Sequence, residues 1–121
     1  MDKIGLGKRG EDIAAGYLKK RGYKIIERNY RSRLGEIDIV AAHRSFTVFV
    51  EVKTRTGNDF GFPQESVEER KQRRMVRVAQ VYIKHRRLPD GHFRFDVVSI
   101  DFSGKKPSVN LIPGAFLSEP E

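Results

Sequence analysis

Hydrophobic and polar residues alternate over two neighbouring stretches of this chain, residues 36–41 and 46–53. An alternation with a period of two predicts β-strands, because successive side chains of a strand point to opposite faces. The short connection between the two stretches makes them an antiparallel hairpin. The apolar positions share one face, which we expect to cover a core; they are Ile37, Ile39, Ala41, Phe46, Val48, Val50 and Val52.

The other face of this hairpin carries Asp38, Glu51 and Lys53. A two-residue turn at residues 43–44 would place Asp38 opposite Phe49, whereas a four-residue turn would place it opposite Glu51. Both registers keep the two carboxylates and the ammonium group on one face. Facing Cβ atoms of paired strands lie about 5 Å apart, so the pattern predicts that these three side chains lie within reach of one another.

The periodicities in the rest of the chain predict two helices and three more strands. We expect helices over residues 5–22 and from residues 63–66 to 87, strands over 23–30, 92–102 and 109–112, and an irregular loop over 54–63. Ser66 and Glu69 have the spacing of a capping box. The resulting order, α-β-β-β-α-β-β, predicts an α/β fold in which a three-stranded meander and a helical crossover build a mixed central sheet flanked by helices.

Composition narrows the class of protein. A length of 121 residues predicts a single domain, which we place at residues 1–117, with a flexible tail at 118–121. The absence of cysteine excludes disulfides and thiolate metal sites, and the three histidines lack zinc-site spacing. Neither a membrane span nor a signal peptide is predicted, so we expect a cytoplasmic protein without membrane contact.

The chain is strongly basic, with 24 Lys and Arg against 16 Asp and Glu and a net charge of +8. Such a charge favours a polyanionic partner, although a solvated basic surface is the ordinary alternative. The second helix carries the longest run of cations, and more of them precede and follow the hairpin. The residues expected to contact nucleic acid are Arg31, Arg33, Arg55, Lys71 and Arg74.

The facing acidic side chains suggest a hard divalent cation such as Mg²⁺, which is held by one or two carboxylates and retains water molecules. A neighbouring lysine can hold or activate the attacking water. Glu11 borders the apolar stripe of the first helix. Alternatively, these charges form the solvated faces of an ordinary hairpin and helix.

The order of Asp38, then Glu51 and Lys53 one strand later, resembles the motif of the PD-(D/E)XK nucleases. More specifically, the chain is identified as a member of the YraN family of small proteins related to archaeal Holliday-junction resolvases. The segments that carry this resemblance are Gly10–Glu11, Asn29, Gly35–Asp38, Phe49–Arg55, Gly61, Lys71, Phe95–Val97 and Gly114–Phe116. Two positions depart from the pattern: Ile37 stands where a proline is usual, and Leu111 stands where the family usually has a histidine.

The resemblance implies a restriction-endonuclease-like fold and a Mg²⁺ or Mn²⁺ site. It implies that Glu11, Asp38 and Glu51 hold the metal with the backbone carbonyl of Val52, and that Lys53 completes the catalytic set. The activity implied is that of a metal-dependent DNA endonuclease, with branched recombination or repair intermediates as candidate substrates, and the kinship allows a homodimer. The alternatives are a non-catalytic nucleic-acid-binding module that retains the fold, and an interaction subunit in which the acidic cluster is structural.

Overall fold

The computed structural model describes residues 3–56, 68–89 and 91–116. Its elements follow the predicted order, α-β-β-β-α-β-β. They are α1 (Lys3–Lys20), β1 (Lys24–Ser32), β2 (Gly35–His43), β3 (Phe46–Arg55), α2 (Glu69–His85), β4 (His92–Asp101) and β5 (Ser108–Phe116). The predicted tail at 118–121 and residues 57–63 of the predicted loop lie outside the described residues.

The five strands form one sheet in the order β1-β2-β3-β4-β5. Neighbouring strands are antiparallel except β3 and β4, which are parallel. This confirms the predicted meander and the mixed sheet. A parallel pair needs a long crossover connection, and α2 lies in that connection.

The predicted strand and helix ends needed correction at two elements. α2 begins at Glu69, with Glu68 as its N-cap and no capping hydrogen bond from the Glu68 side chain. Ser66 of the predicted capping box lies outside the described residues, and Glu69 is the first helical residue rather than the third that a capping box with Ser66 would require. β5 continues to Phe116 instead of ending at residue 112, because a shift in the pairing register of β4 and β5 accommodates Pro113 and Gly114 within the strand.

In the register of the β2–β3 hairpin, the position after the last pair places Asp38 opposite Glu51. His43 pairs with Phe46, and Ile39 pairs with Val50. The turn that sets this register has two residues, at positions 44–45, rather than the four that we expected for it. The two carboxylates therefore belong to facing positions, at the point where the β2–β3 pairing ends.

Two apolar cores lie on opposite faces of the sheet, one under α1 and one under α2. The α1-side core contains most of the predicted apolar face of the hairpin, namely Ile39, Ala41, Phe46, Val48, Val50 and Val52. Ile37 is the exception, because it packs in the α2-side core beside Tyr30 and Val78. The prediction that Ile37 shares a face with Ile39 was therefore wrong.

The alternation of side chains reverses at Asn29, which explains the position of Ile37. Asn29 has a left-handed backbone, with φ of 56°. The preceding Arg28 reaches α1, whereas the following Tyr30 is buried on the α2 side. Tyr30 pairs with Ile37, so these two residues lie on the same face of the sheet. The alternation of side chains in β2 therefore also reverses, at Asp38. Irregularities of this kind re-aim side chains next to functional sites.

Candidate active site

Asp38 lies where β2 and β3 separate. The pairing of the two strands ends at Ile39 and Val50, and beyond this point β2 pairs only with β1, and β3 only with β4. The Oδ2 atom of Asp38 accepts a hydrogen bond of 2.8 Å from the backbone N–H of Val52. The carboxylate thus accepts the N–H that a paired strand would otherwise accept. This bond fixes the carboxylate beside the backbone of β3.

Glu51 supplies the second carboxylate, and it is buried, with only 7% of the residue exposed. Its Oε1 atom accepts a hydrogen bond from the Lys71 ammonium of α2, at 2.6 Å. Lys71 was expected on the nucleic-acid-binding surface, and the structure brings it instead into contact with the acidic pair. Helix α2 is therefore tied to the candidate site.

Burial raises the pKa of Asp38 to about 7, and the negative charge of Glu51 adds to the effect. The N–H of Val52 opposes this rise, while the charges of Glu11 and Glu36 contribute to it. Asp38 retains its proton because its surroundings do not compensate a second negative charge beside that of Glu51. A site with this deficit favours the binding of a cation.

Lys53 follows Glu51 by two residues on β3, so both side chains lie on the same face of the sheet. Its pKa is lowered by partial burial and by the positive charge of Lys71, with the charge of Glu51 acting in the opposite direction. A lysine of lowered pKa releases its proton more readily, which suits general acid–base chemistry.

Glu11 approaches the sheet from α1. The preceding Gly10 is buried against Thr54 so closely that an added methyl group would collide with the threonine side chain. The Oε1 atom of Glu11 accepts a 2.8 Å hydrogen bond from the Asn29 amide and contacts two nitrogens of Arg28 at 3.3 Å. The reversed alternation of β1 thus presents Asn29 to the glutamate. The negative charge of Glu11 also acts on Asp38.

The acidic side chains are not assembled as a three-ligand metal centre. Within residues 3–56, 68–89 and 91–116, no three His, Asp or Glu side chains are grouped so that they could hold one ion as they stand. The oxygen of Glu11 is engaged by Asn29 and Arg28. The pair that fits a hard cation is Asp38 and Glu51, because both are oxygen donors, both are largely shielded from solvent, and the pKa of Asp38 reveals the missing positive charge.

The other predicted nucleic-acid contacts lie around this centre. Arg33 is exposed in the β1–β2 turn, and Arg31 is exposed and pairs with Glu36 at 3.4 Å. Gly35, with φ of 148°, brings this turn against the side chain of Arg74, which is exposed on α2. The turn and the helix therefore form one continuous basic rim.

Arg55 lies at the end of β3, where it is half-buried. Its backbone carbonyl accepts a 2.9 Å hydrogen bond from the N–H of Phe102, and its charge acts on Asp101 at the end of β4. The structure therefore places Arg55 on the strand that carries Glu51 and Lys53, beyond both of them.

A second buried carboxylate system was missed by the sequence reasoning. Asp96 of β4 is fully buried. It accepts hydrogen bonds from Arg94 at 2.8 and 2.9 Å, from the Tyr23 hydroxyl at 2.7 Å and from the N–H of Gly114 at 2.9 Å. The only sequence signal was that Asp96 and Gly114 both lie in segments that carry the family resemblance. The contact between these segments explains why they occur together.

The fold and site define a mixed-sheet α/β protein in which Asp38 and Glu51 form an acidic pair at the end of the β2–β3 pairing. The model of the uncharacterised protein family UPF0102 matches residues 10–100, and the chain belongs to this family. This confirms the predicted YraN family. None of the helices in the described part of the chain is long and apolar enough to cross a membrane.

Relatives match almost the whole chain. A UPF0102 protein of Syntrophotalea carbinolica is 50% identical over 114 residues, which cover 94% of this chain and 93% of the relative. A UPF0102 protein of Geobacter metallireducens is 50% identical over 111 residues, covering 92% and 91%. A UPF0102 protein of Caldanaerobacter subterraneus is 44% identical over 119 residues, covering 96% and 98%. The similarity thus extends over both the acidic pair and the Asp96 system.

Proposed function

We propose that this protein is a Mg²⁺- or Mn²⁺-dependent DNA endonuclease with a restriction-endonuclease-like fold. The observation that carries the proposal is the acidic pair of half-buried Asp38 and buried Glu51, which lies where two central strands separate and in which Glu51 holds Lys71 while the pKa of Asp38 is raised to about 7. Lys53 lies on the same strand face as Glu51. A nuclease needs this combination of oxygen donors and a proton-transferring group next to a phosphate path.

Asp38 and Glu51 would hold the cation, which when bound lowers the pKa of a coordinated water and neutralises charge on the phosphate. The carbonyl of Val52 is a suitable third donor. In a regular strand the N–H and C=O of one residue face the same neighbouring strand, and the N–H of Val52 faces Asp38. Glu11 is the fourth candidate, and it would have to turn an oxygen away from Arg28 to take part.

The remaining residues would act on the substrate and its protons. Lys53 would orient the attacking water or take up its proton, which its lowered pKa favours. Lys71 would exchange its contact with Glu51 for a substrate phosphate when a cation occupies the pair. Arg31, Arg33, Arg55 and Arg74 would hold the phosphodiester backbone.

Branched recombination or repair intermediates are the substrates that we favour, and kinship with junction resolvases supports this choice. A homodimer would suit such substrates, because a two-fold axis presents two centres to paired strands. The branched substrate and the homodimer rest on this kinship and not on the acidic pair.

A second candidate function is a non-catalytic nucleic-acid-binding module. The salt bridge between Glu51 and Lys71 favours it, because this contact already supplies one positive charge to the acidic pair without a metal. Such a module would bind nucleic acid with a steep salt dependence and no requirement for a divalent cation.

A cleavage assay tests the proposal. Linear duplex, single strand, flap and four-way junction would be incubated with Mg²⁺, Mn²⁺ or EDTA. We expect metal-dependent cutting that falls by about 100-fold or more in Glu51→Gln and in Lys53→Ala. The matched control is Glu69→Gln, which neutralises an exposed carboxylate at the start of α2 and should leave the rate unchanged.

Two results would reject the endonuclease. Cutting that persists in both Glu51→Gln and Lys53→Ala would come from another enzyme in the preparation. Binding to the panel without cutting under any metal would instead establish the non-catalytic module. A preference among the cut substrates would identify the branched structure, if any, that the protein selects.

A further inference from the structure

The outer face of α2 carries a straight row of cations. Arg70, Arg77 and Lys84 follow one another at intervals of seven residues, and each of them is exposed. Seven residues make almost two turns of an α-helix, so these side chains lie along one line. The buried residues of α2, among them Met75 and Tyr82, lie on the opposite side of the helix. The outer row, which consists of Arg70, Arg77 and Lys84, is about 21 Å long at the rise of an α-helix.

The outer row leads from the acidic pair to the edge of the sheet. Near the start of α2, the Lys71 ammonium contacts Glu51 at 2.6 Å. Directly after the end of α2, Nη2 of Arg86 donates to both carboxylate oxygens of Glu27, at 2.9 and 3.0 Å. Glu27 belongs to β1, which is an edge strand. The two contacts therefore fix the direction of the row relative to the candidate active site.

The basic surface continues beyond the end of α2. Arg87 is exposed, two residues after the helix ends. Lys24 is also exposed, at the start of β1. It lies between Tyr23 and Ile25, which both pack in the α1-side core, so its side chain points to the α2 side of the sheet. The far end of the outer row thus meets further cations on the same face.

Helix stability does not explain the outer row. Arg70 lies in the first turn, where the positive end of the helix dipole disfavours a cation. Arg77 follows Arg73 by four residues, a spacing at which like charges destabilise a helix. Glu69 is the only acidic residue of α2, and it pairs with Arg73 at 3.1 Å. Of the outer row, the dipole favours Lys84 alone, which lies in the last turn. The arginines are therefore retained for a contact outside the helix.

The chemistry of this surface favours duplex DNA as the partner. Every exposed residue of α2, which the structure describes throughout, is polar, so the helix presents no exposed apolar side chain to a lipid surface. Tyr82 is the single Phe, Tyr or Trp residue of α2, and it is buried, so the helix offers no aromatic platform to unpaired bases. A straight row suits a straight partner, and a duplex carries a phosphate for about every 1.7 Å of its axis.

We infer that the outer row binds the phosphate backbone of a DNA duplex that lies lengthwise along α2, from the candidate active site to the edge strand β1. The length of the row corresponds to about six base steps. Arg87 and Lys24 continue the contact at its far end. The inference rests on the proposed nucleic-acid partner and deepens it, but it does not depend on cleavage.

Fluorescence anisotropy in EDTA, where metal-dependent cutting is suppressed, tests this contact with a labelled duplex and a labelled single strand. We expect Arg70→Gln/Arg77→Gln/Lys84→Gln, the row variant, to bind the duplex at least about tenfold more weakly than the wild type. The slope of log K against log salt should fall by up to about 0.9 for each lost phosphate contact. The loss for the single strand should be smaller, because a flexible strand can follow other cations.

The matched control is Lys19→Gln/Lys20→Gln/Arg21→Gln, which neutralises exposed cations at the end of α1, the helix on the other face of the sheet. The helix dipole favours cations at this position, so the control should bind the duplex within about twofold of the wild type. Circular dichroism verifies that both triple variants are folded.

A second measurement separates binding from a structural role. The double variant Arg70→Gln/Arg77→Gln removes charges that α2 itself disfavours, so without nucleic acid it should unfold at a higher urea concentration than the wild type. It should nevertheless bind the duplex more weakly. If the two arginines supported the fold instead, stability and binding would fall together.

Crosslinking tests the direction of the duplex. The chain contains no cysteine, so Gln80→Cys gives a single thiol for a photoreactive label at an exposed position between Arg77 and Lys84. We expect this label to crosslink to the duplex. The control is Gly16→Cys on exposed α1 surface, where an added Cβ meets nothing within 4 Å. It should give no crosslinks above the level of free label.

The inference is overturned by duplex binding that is unchanged in the row variant, by an equal loss in the α1 control, or by an equal loss for the single strand. Binding of the wild type to anionic vesicles but not to duplex would overturn it too, as would crosslinks from α1 alone. Loss of duplex binding in the row variant, without metal-dependent cutting by the wild type, would support it while rejecting the endonuclease. Cutting by the wild type with unchanged duplex binding in the row variant would do the reverse.

Discussion

Two carboxylates of the same sheet, the buried Asp96 and the half-buried Asp38, lie in opposite surroundings. Asp96 is fully buried and surrounded by donors, with a two-point contact to Arg94 and hydrogen bonds from Tyr23 and Gly114. Asp38 accepts the N–H of Val52 and faces the negative charge of Glu51, so its pKa rises to about 7.

The comparison separates a group that supports the fold from a group that supports chemistry. A buried charge with matched partners is costly to disturb, although its net contribution to stability is small. A buried charge without a matching cation lowers stability and persists where function needs it. By this criterion the Asp96 system positions strands, whereas Asp38 and Glu51 are the candidates for the proposed chemistry.

The largest expected effect is the loss of stability in Asp96→Ala. Removing this buried carboxylate leaves the half-buried Arg94 guanidinium without its partner, and breaking such a pair typically costs about 3–5 kcal/mol. Urea unfolding followed by circular dichroism would measure the change. The matched control is Asp101→Ala at the half-buried end of the same strand, for which we expect a loss of less than about 1 kcal/mol. Equal losses in the two variants would remove the basis of the comparison.

Asp38→Asn should show an effect of opposite sign. The folded protein holds a proton on Asp38 up to about pH 7, whereas the unfolded chain loses it near the ordinary value of 3.8. The folded state therefore binds more protons between these values, and its stability falls as the pH rises through this range. Asparagine avoids this loss and can still accept the N–H of Val52.

We therefore expect metal-free Asp38→Asn to be more stable than the wild type by up to about 4 kcal/mol at pH 8, and equal to it near pH 4. Urea unfolding at the two pH values measures the difference, and Glu69→Gln at the start of α2 serves as the exposed control. Added Mn²⁺ should reverse the order at pH 8, because the cation stabilises only a site that can hold it. A stability difference that is independent of pH would contradict the assigned titration of Asp38.

The sequence was sufficient for features that depend on local pattern. The alternation of residues 46–53 predicted β3 and its buried face, and the alternation of the hairpin predicted that Asp38 and Glu51 lie within reach of each other, although it left open whether Asp38 stands opposite Phe49 or Glu51. It was insufficient where distant residues decide the outcome. The Asp96 system joins Tyr23 to Gly114, which are far apart in the chain, and no local periodicity reports such a contact. The contact between Lys71 and Glu51 likewise depends on how α2 crosses the sheet.

Asn29 shows most clearly what local sequence pattern cannot predict, because a single backbone angle moves Ile37 to the other core. Asparagine tolerates the left-handed conformation better than most residues, but it does not require it. The pattern of hydrophobic residues around it is therefore compatible with an uninterrupted strand. Only the pairing of Tyr30 with Ile37 reveals the reversal.

Substitutions of Asn29 give the smallest of these effects and separate its two roles. Asn29→Ala loses both the tolerance for a φ of 56° and the amide bond to Glu11, and we expect a loss of about 1–2 kcal/mol in urea unfolding. Asn29→Gly keeps the backbone angle and loses the bond alone, so its stability should remain within about 0.5 kcal/mol of the wild type. Calorimetry with Mn²⁺ would then report the second role: if the amide positions Glu11 for a cation, Asn29→Gly should bind it about tenfold more weakly. Equal Mn²⁺ affinity in Asn29→Gly and the wild type would mean that Asn29 serves the turn of the backbone alone and that Glu11 needs no support from β1.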